Sequence, residues 1–327
     1  MKVMWRGVTA VVLALLIAPL AAEAQQAGKL PRVGFLCPAS KPGPFLLSLQ
    51  KGLREVGYVE GQNISIETRF AEERDERFPA LAAELVRLKV DVVVPMGAAA
   101  LRAAREATST IPIVMAGTAD PVGLGLVASL ARPGGNITGV TSLATELAGK
   151  RLELLKEVLP GLRRIAVFWD PMEPEEAAEW RAYQAAAGPL ELRLRSMEVR
   201  VLEDPEKAFS ALTLEPVDAL INAGWIGVTT RRAKRVIEFA ASNRLPVMGG
   251  RGSFVEAGAF ISYAADYEEL YRRAAAYVDK ILKGAKPADL PVEEPRKFEL
   301  IINLKTAKAI GVTIPQRVLI RVDKVIK

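Results

Sequence analysis

Histidine is absent from the 327 residues and cysteine occurs once, as Cys37. Without imidazole there is no Ser-His-Asp or Cys-His nucleophile, no imidazole general base and no His-ligated zinc. One thiol makes neither an internal disulfide nor a Cys-cluster metal site. Apart from one N-terminal stretch, no apolar run approaches the ~20 residues that cross a bilayer. Charge of one sign is also lacking: 44 Lys and Arg against 38 Asp and Glu leave a net +6. The short basic stretches, Arg231, Arg232, Lys234 and Arg235, then Arg272 and Arg273, fall on helix-like solvated faces without interleaved aromatics. No nucleic-acid partner is expected from them. What is plentiful is apolar material, 50% of the chain against 25% charged. That balance belongs to a folded globular protein, of a length suited to about two domains.

Lys2 and Arg6 precede an apolar run over residues 8–20, and Ala22-Glu23-Ala24 follows as a small-x-small site. This is the layout of a secretory signal peptide over residues 1–24, with cleavage after Ala24 leaving Gln25 first. The alternative is an uncleaved N-terminal anchor. Cys37 lies beyond the run, which argues against a lipoprotein. The mature protein is expected outside the cytoplasm, in the periplasm of a double-membraned cell.

The rest alternates between two periods. Residues 32–37, 90–96 and 111–115 are apolar strand runs, and residues 64–70 alternate apolar and polar. Between them Phe45, Leu46, Leu49, Leu53 and Val56, then Phe78, Leu81, Leu85 and Leu88, recur at helical spacing. After the turn cluster Pro133-Gly134-Gly135-Asn136 the alternation resumes, with strands expected at 165–169, 191–199, 218–223 and 245–248 and helices at 174–187, 205–212 and 231–241. The segment from Val90 through Met115 rhymes with that from Val217 through Met248, at an offset of about 127 to 134 residues. Strands buried on both faces and alternating with helices predict α/β architecture: two doubly wound parallel-sheet lobes with a ligand cleft between them. The C-terminal third, with strands at 258–263 and 298–303 and a helix at 267–282, is too small for a third core. It must complete the other two, through a multi-strand hinge crossing near residues 141–146, 263–266 and 291–297. Lobe 1 is then expected over residues 25–143 with about 265–292, and lobe 2 over 144–264 with about 293–327.

Gly123-Leu124-Gly125-Leu126-Val127-Ala128 fits the dinucleotide fingerprint G-x-G-x-x-A, but it follows the fourth strand, and Thr145 stands about where the acidic partner is required. Asp120 as N-cap of a helix opening at Pro121 is the better reading, and no cofactor is expected. Ser48-Leu49-Gln50-Lys51 matches S-x-x-K in mid-helix without its companion motifs. In an open parallel sheet, solutes bind beyond the carboxyl ends of the strands, where helix N-termini offer N–H groups. The segments in that position are 38–41, 97–99, 117–120, 170–174, 222–225 and 249–253. No residue set in them suggests catalysis.

Four segments carry a resemblance: Ile111-Pro112-Ile113-Val114 through Asp120-Pro121-Val122-Gly123; Gly125-Leu126-Val127 through Pro133-Gly134-Gly135-Asn136; Tyr271-Arg272-Arg273-Ala274-Ala275 through Lys283-Gly284-Ala285-Lys286-Pro287; and Ile302-Asn303-Leu304-Lys305-Thr306-Ala307. With them the chain, from about residue 32 to 315, resembles the tryptophan/tyrosine-type ABC transporter substrate-binding proteins, a branch of the periplasmic binding proteins. The resemblance implies a monomeric, non-catalytic receptor that closes on a small solute, an aromatic or other amino acid, and delivers it to a membrane permease. A zwitterion needs its carboxylate met, for which Ser40, Thr118 and the Gly97–Ala98 backbone are candidates. Its ammonium needs a carboxylate, Asp120 or Asp170. Trp225, Phe254 and Tyr263 are candidates for an apolar lining or for the lobe cores, while Asn222 and Arg251 suit a more polar or anionic solute. The other readings are a sensor for a membrane signalling partner and an exported enzyme using Asp120 and Asp170. A two-lobed transcription regulator is disfavoured, because the signal occupies the place of a DNA-binding segment.

Overall fold

The computed structural model describes residues 30–200, 205–224 and 231–327. The first sheet holds β1 (Arg32–Cys37), β2 (Ser65–Phe70), β3 (Val92–Pro95), β4 (Ile113–Thr118) and β5 (Ile137–Thr141), in the order β2-β1-β3-β4-β5. Every pairing in it is parallel. Between its strands run α1 (Pro44–Glu55), α2 (Phe78–Arg87) and α3 (Ala98–Ala107). The alternate side chains of each strand feed two cores. Val33, Phe35, Val92, Val94 and Val114 meet α1 on one face, and Leu36, Val93, Ile113 and Met115 meet α2 and α3 on the other.

The second sheet holds β6 (Arg164–Trp169), β7 (Arg193–Glu198), β8 (Ala219–Asn222), β9 (Val247–Gly249), β10 (Ile261–Ala265), β11 (Phe298–Asn303) and β12 (Lys324–Ile326). Their order is β12-β11-β10-β9-β8-β6-β7. All neighbours are parallel except β10 and β11. Its helices are α4 (Ala148–Val158), α5 (Pro174–Ala187), α6 (Glu206–Leu214), α7 (Arg231–Ser242) and α8 (Gly252–Glu256). The next helix, α9 (Tyr267–Leu282), packs back on the first lobe against α1, and α10 (Leu304–Ile310) and α11 (Gln316–Leu319) complete the second. At Gly52 the backbones of α1 and α9 lie so close that a Cβ would sit 2.1 Å from the Arg272 carbonyl oxygen.

The chain passes between the lobes three times: after β5, between β10 and α9, and between α9 and β11. Residues just before the third passage extend the first sheet, with Thr141 N–H donating to the Glu293 carbonyl and Glu293 N–H to that of Gly139. The second passage ends on Asp266, whose Oδ1 accepts from the N–H groups of Glu268 (3.0 Å) and Glu269 (3.2 Å) and so caps α9.

Several elements were not expected from the sequence, among them β5, α4, α8, α10, α11 and β12. Strand β5 and helix α4 had no clear periodic signal, because Thr138 and Thr141 are buried in the strand and Arg151 is buried in the helix. The segment after Asp120 is a hydrogen-bonded turn over residues 121–125, not a helix. Asp120 Oδ1 accepts from Gly123 N–H at 2.8 Å, but Gly125 takes a positive φ of 64° and ends the coil after one turn. The N-terminal signal and anchor readings fall outside the described residues.

Replacing Asp266 by alanine removes the cap at a passage between lobes and is expected to cost about 1 kcal/mol, read as a lower urea midpoint. Asp266→Asn keeps an acceptor oxygen and is expected to stay near the parent. An alanine variant with an unchanged midpoint would contradict the cap's contribution.

Candidate functional site

Parallel pairing brings the carboxyl ends of β1, β3, β4 and β5 to one edge of the first sheet and those of β6, β8 and β9 to one edge of the second. These two edges face each other and touch. Arg102, on α3, reaches Glu173 across the gap, Nη2 to Oε1 at 3.4 Å. The Glu175 carboxylate, in the first turn of α5, accepts a hydrogen bond from the Ala119 N–H beyond β4. Arg251, leading into α8, lays its guanidinium 5.7 Å from the ring centre of Phe45 on α1 and 5.6 Å from that of Tyr267 on α9. Pro95, Gly97, Met115, Thr118 and Glu175 line a cavity of about 10 Å³, the room of one water molecule.

The contact layer buries charged groups. Glu175 is 7% exposed and Arg251 4% exposed. Burial, with the charges of Glu179 and Glu173 added, pushes the Glu175 carboxyl up to about 8 against the opposing Ala119 hydrogen bond. Burial lowers the Arg251 guanidinium to about 10. The phenols of Tyr267 and Tyr271 are raised by the same cause. Burial raises the cost of ionising Glu175, so a cationic group placed beside it competes with its own proton. At the rim Asp75 and Glu173 are both raised by burial, which the cation of Arg102 partly offsets.

Of the residues singled out in the sequence, Gly97, Ala98, Thr118, Asp170, Asn222 and Arg251 lie at the facing strand ends. Gly97, with φ +89°, opens α3 at Ala98. Thr118 is buried beside Glu175, and its carbonyl accepts from Thr141 Oγ1 at 2.7 Å. Asp170 is 3% exposed; its Oδ1 accepts from Met172 N–H at 2.8 Å and its N–H donates to Glu176 Oε2 at 2.7 Å. Asn222 is fully buried, and its Oδ1 has no hydrogen-bond partner among the described residues. Ser40 is exposed in the loop between β1 and α1. Asp120 spends its carboxylate on its own turn. Phe254 sits in the core formed with Phe168, Phe209 and Val247. Tyr263 lies on the strand leading to the second passage, its ring tilted against Phe298. Trp225 falls outside the described residues.

Sequence reading missed Glu175, Phe45, Tyr267 and Tyr271. Glu175 follows Pro174 in a first helical turn, where an acidic residue is ordinary dipole chemistry. Phe45, Tyr267 and Tyr271 sit at helix positions that a core explains equally well, and they do pack in one. Phe45 and Tyr271 stack with ring centres 5.0 Å apart. No local signal separates these roles, since the second partner of each comes from the other lobe.

Residues 46–326 match the family model described as ABC transporter substrate binding protein. A tyrosine-binding protein of Clostridioides difficile is 28% identical over 266 residues, 80% of this chain and 74% of that protein. Among solved structures, an ABC domain in complex with L-Trp from Streptococcus pneumoniae superimposes with TM-score 0.82 at 28% identity, covering 91% of this chain and all of that one. A conserved domain protein from Vibrio cholerae superimposes with TM-score 0.85 at 30% identity over the same shares.

The Glu175 carboxyl gives unliganded stability a defined pH dependence. Its folded pKa lies above the unfolded value of 4.5, so between there and about 8 the folded protein holds the extra proton. Its contribution is complete below pH 4.5 and is lost as pH rises towards 8, by an order of a few kcal/mol. Urea unfolding at pH 5 and pH 8 is expected to show that loss in the parent and a smaller one in Glu175→Gln. Equal pH slopes in the two proteins would contradict the burial.

Proposed function

The chain belongs to the ABC transporter substrate-binding protein family and is the solute-binding component of such a transporter; on that premise we propose that it captures an aromatic L-amino acid between its two lobes. The observation that carries this reading is the burial of a carboxyl group and a guanidinium at the lobe contact. Glu175 and Arg251 are both buried there, Arg251 beside the rings of Phe45 and Tyr267 and Glu175 within electrostatic reach of Tyr271. An ammonium group beside Glu175 replaces the proton that burial otherwise imposes. A carboxylate is met by Arg251, by Thr118 and by the N–H groups at Gly97–Ala98, while Asp170 and Asn222 hold the neighbouring loops. The aromatic side chain lies against Phe45, Tyr267 and Tyr271. The L-Trp bound by the streptococcal domain and the name of the clostridial relative support this solute class.

Capture proceeds by closure. A solute that touches only one lobe gains nothing from the closed form, whereas one held by Glu175 and Arg251 of the second lobe and by Thr118 and the aromatic rings of the first stabilises it by its differential affinity. Members of this family work outside the cytoplasm. The Lys2–Ala24 pattern supports a cleaved export signal, and the three passages between the lobes support lobe 1 as residues 25–143 with about 265–292 and lobe 2 as the remainder. The membrane partner is a permease that reads the closed form of a monomer.

Isothermal titration calorimetry tests the assignment with L-tryptophan, L-tyrosine, tryptamine and indole-3-propionate. Saturable one-to-one binding of either amino acid is expected, with about tenfold or greater loss for the analogues that lack the carboxylate or the ammonium. Arg251→Ala is expected to unfold cooperatively and bind the amino acid at least about tenfold more weakly. Binding that ignores both charged groups, or a response to neutral sugars alone, would overturn the assignment.

A further inference from the structure

Arg151, on α4, is 0% exposed and touches neither Glu175 nor the aromatic wall by any hydrogen bond in the structure. Its guanidinium instead reaches four parts of the chain. Nε donates to the carbonyl of Tyr263 at 2.9 Å, on the strand that leads into the second passage between lobes. Nη1 donates to the carbonyl of Ala144 at 3.4 Å, in the first passage. Nη2 donates to the carbonyl of Gly250 at 3.4 Å, immediately before Arg251. The charge is balanced by Glu179 on α5, with Tyr183 Oη also within 3.2 Å of Nη1. Glu179 Oε2 in turn accepts from the N–H of Gly224, two residues beyond Asn222, at 3.2 Å. The chain turns tightly at Gly224, with φ +82°, and a Cβ there would lie 2.3 Å from Glu176 Cγ.

A guanidinium is a planar fork whose N–H directions are fixed relative to one another. When it is buried, every misplaced acceptor leaves a desolvated donor. Two hinge carbonyls and the carbonyl that precedes Arg251 are therefore held at set separations by one side chain, and its counter-ion holds the backbone at Gly224 just beyond β8. A lysine carries the same charge on a single nitrogen and cannot span these acceptors.

We infer that Arg151, with Glu179, is the positioning pair that couples the solute-contacting loops of the second lobe to the hinge, so that engagement of Arg251 and bending of the passages occur as one movement. The inference rests on the closure reading above, but one arm of its test needs no solute. A side chain that merely fills the α4 core would be satisfied by any substitute that preserved stability. A coupling pair fails when its geometry is lost, even in a stable protein.

The test compares the parent, Arg151→Lys and Glu179→Gln by far-UV circular dichroism, urea unfolding, small-angle X-ray scattering and titration with L-tryptophan. In the unliganded arm, both variants are expected to unfold cooperatively and to show a larger radius of gyration than the parent, because the lobe arrangement is no longer fixed from the hinge. Cooperatively folded variants with the parent's radius of gyration would overturn the inference. In the solute arm, affinity is expected to fall about tenfold or more, and compaction at saturating solute to be smaller than in the parent. A variant with weakened binding but full compaction at saturation would overturn it too. If Arg151→Lys does not fold, the isosteric Glu179→Gln decides both arms. A parent that ignores L-tryptophan contradicts the solute assignment alone, and the unliganded arm still decides the role of Arg151.

Discussion

The hydrogen bond from Ala119 N–H to the Glu175 carboxylate joins one lobe to the other at a contact where Glu175 and Arg251 are both buried. Burial at this contact favours the protonated acid, and the Arg251 guanidinium lies on aromatic faces. Under the proposed function, an ammonium group beside Glu175 takes the place of that proton.

The fold serves that contact in two ways. Parallel strands deliver all their carboxyl ends to one edge, so each lobe offers several loops to the gap and few of them need special side chains. The repeated passage of the chain makes the hinge a bundle of strands, and packing α9 on the lobe opposite to the strand before it ties the two bodies together at Asp266. Arg151 stands where hinge and loops come within reach of a single side chain.

Much of the architecture was legible because burial on two faces leaves a plain mark. Runs such as Val92-Val93-Val94 and Ile113-Val114-Met115 cannot be half-exposed strands, and their alternation with amphipathic helices leads to doubly wound sheets. The repeat at about 130 residues pointed to two lobes. Legibility failed where buried polar groups replaced apolar ones, as at Thr138 in β5, whose Oγ1 donates to the Leu290 carbonyl at 2.7 Å, and at Arg151 in α4. It failed again after Asp120, where Pro121 suggested a helix but Gly125 allowed one turn. The site was half legible. Loop position placed Thr118, Asp170, Asn222 and Arg251 at the facing strand ends, where they lie, because strand ends can be located from a pattern. Glu175, Phe45 and Tyr267 were hidden, because their partners lie on the other lobe and no spacing along the chain records that meeting.

A crystal structure of the protein with L-tryptophan tests the central claim most directly. The account places the ammonium nitrogen within hydrogen-bond reach of the Glu175 carboxylate and the indole against Phe45 and Tyr267, with residues of both lobes in contact. Tryptophan held by one lobe only, or seated between the lobes with its ammonium remote from Glu175, would contradict it.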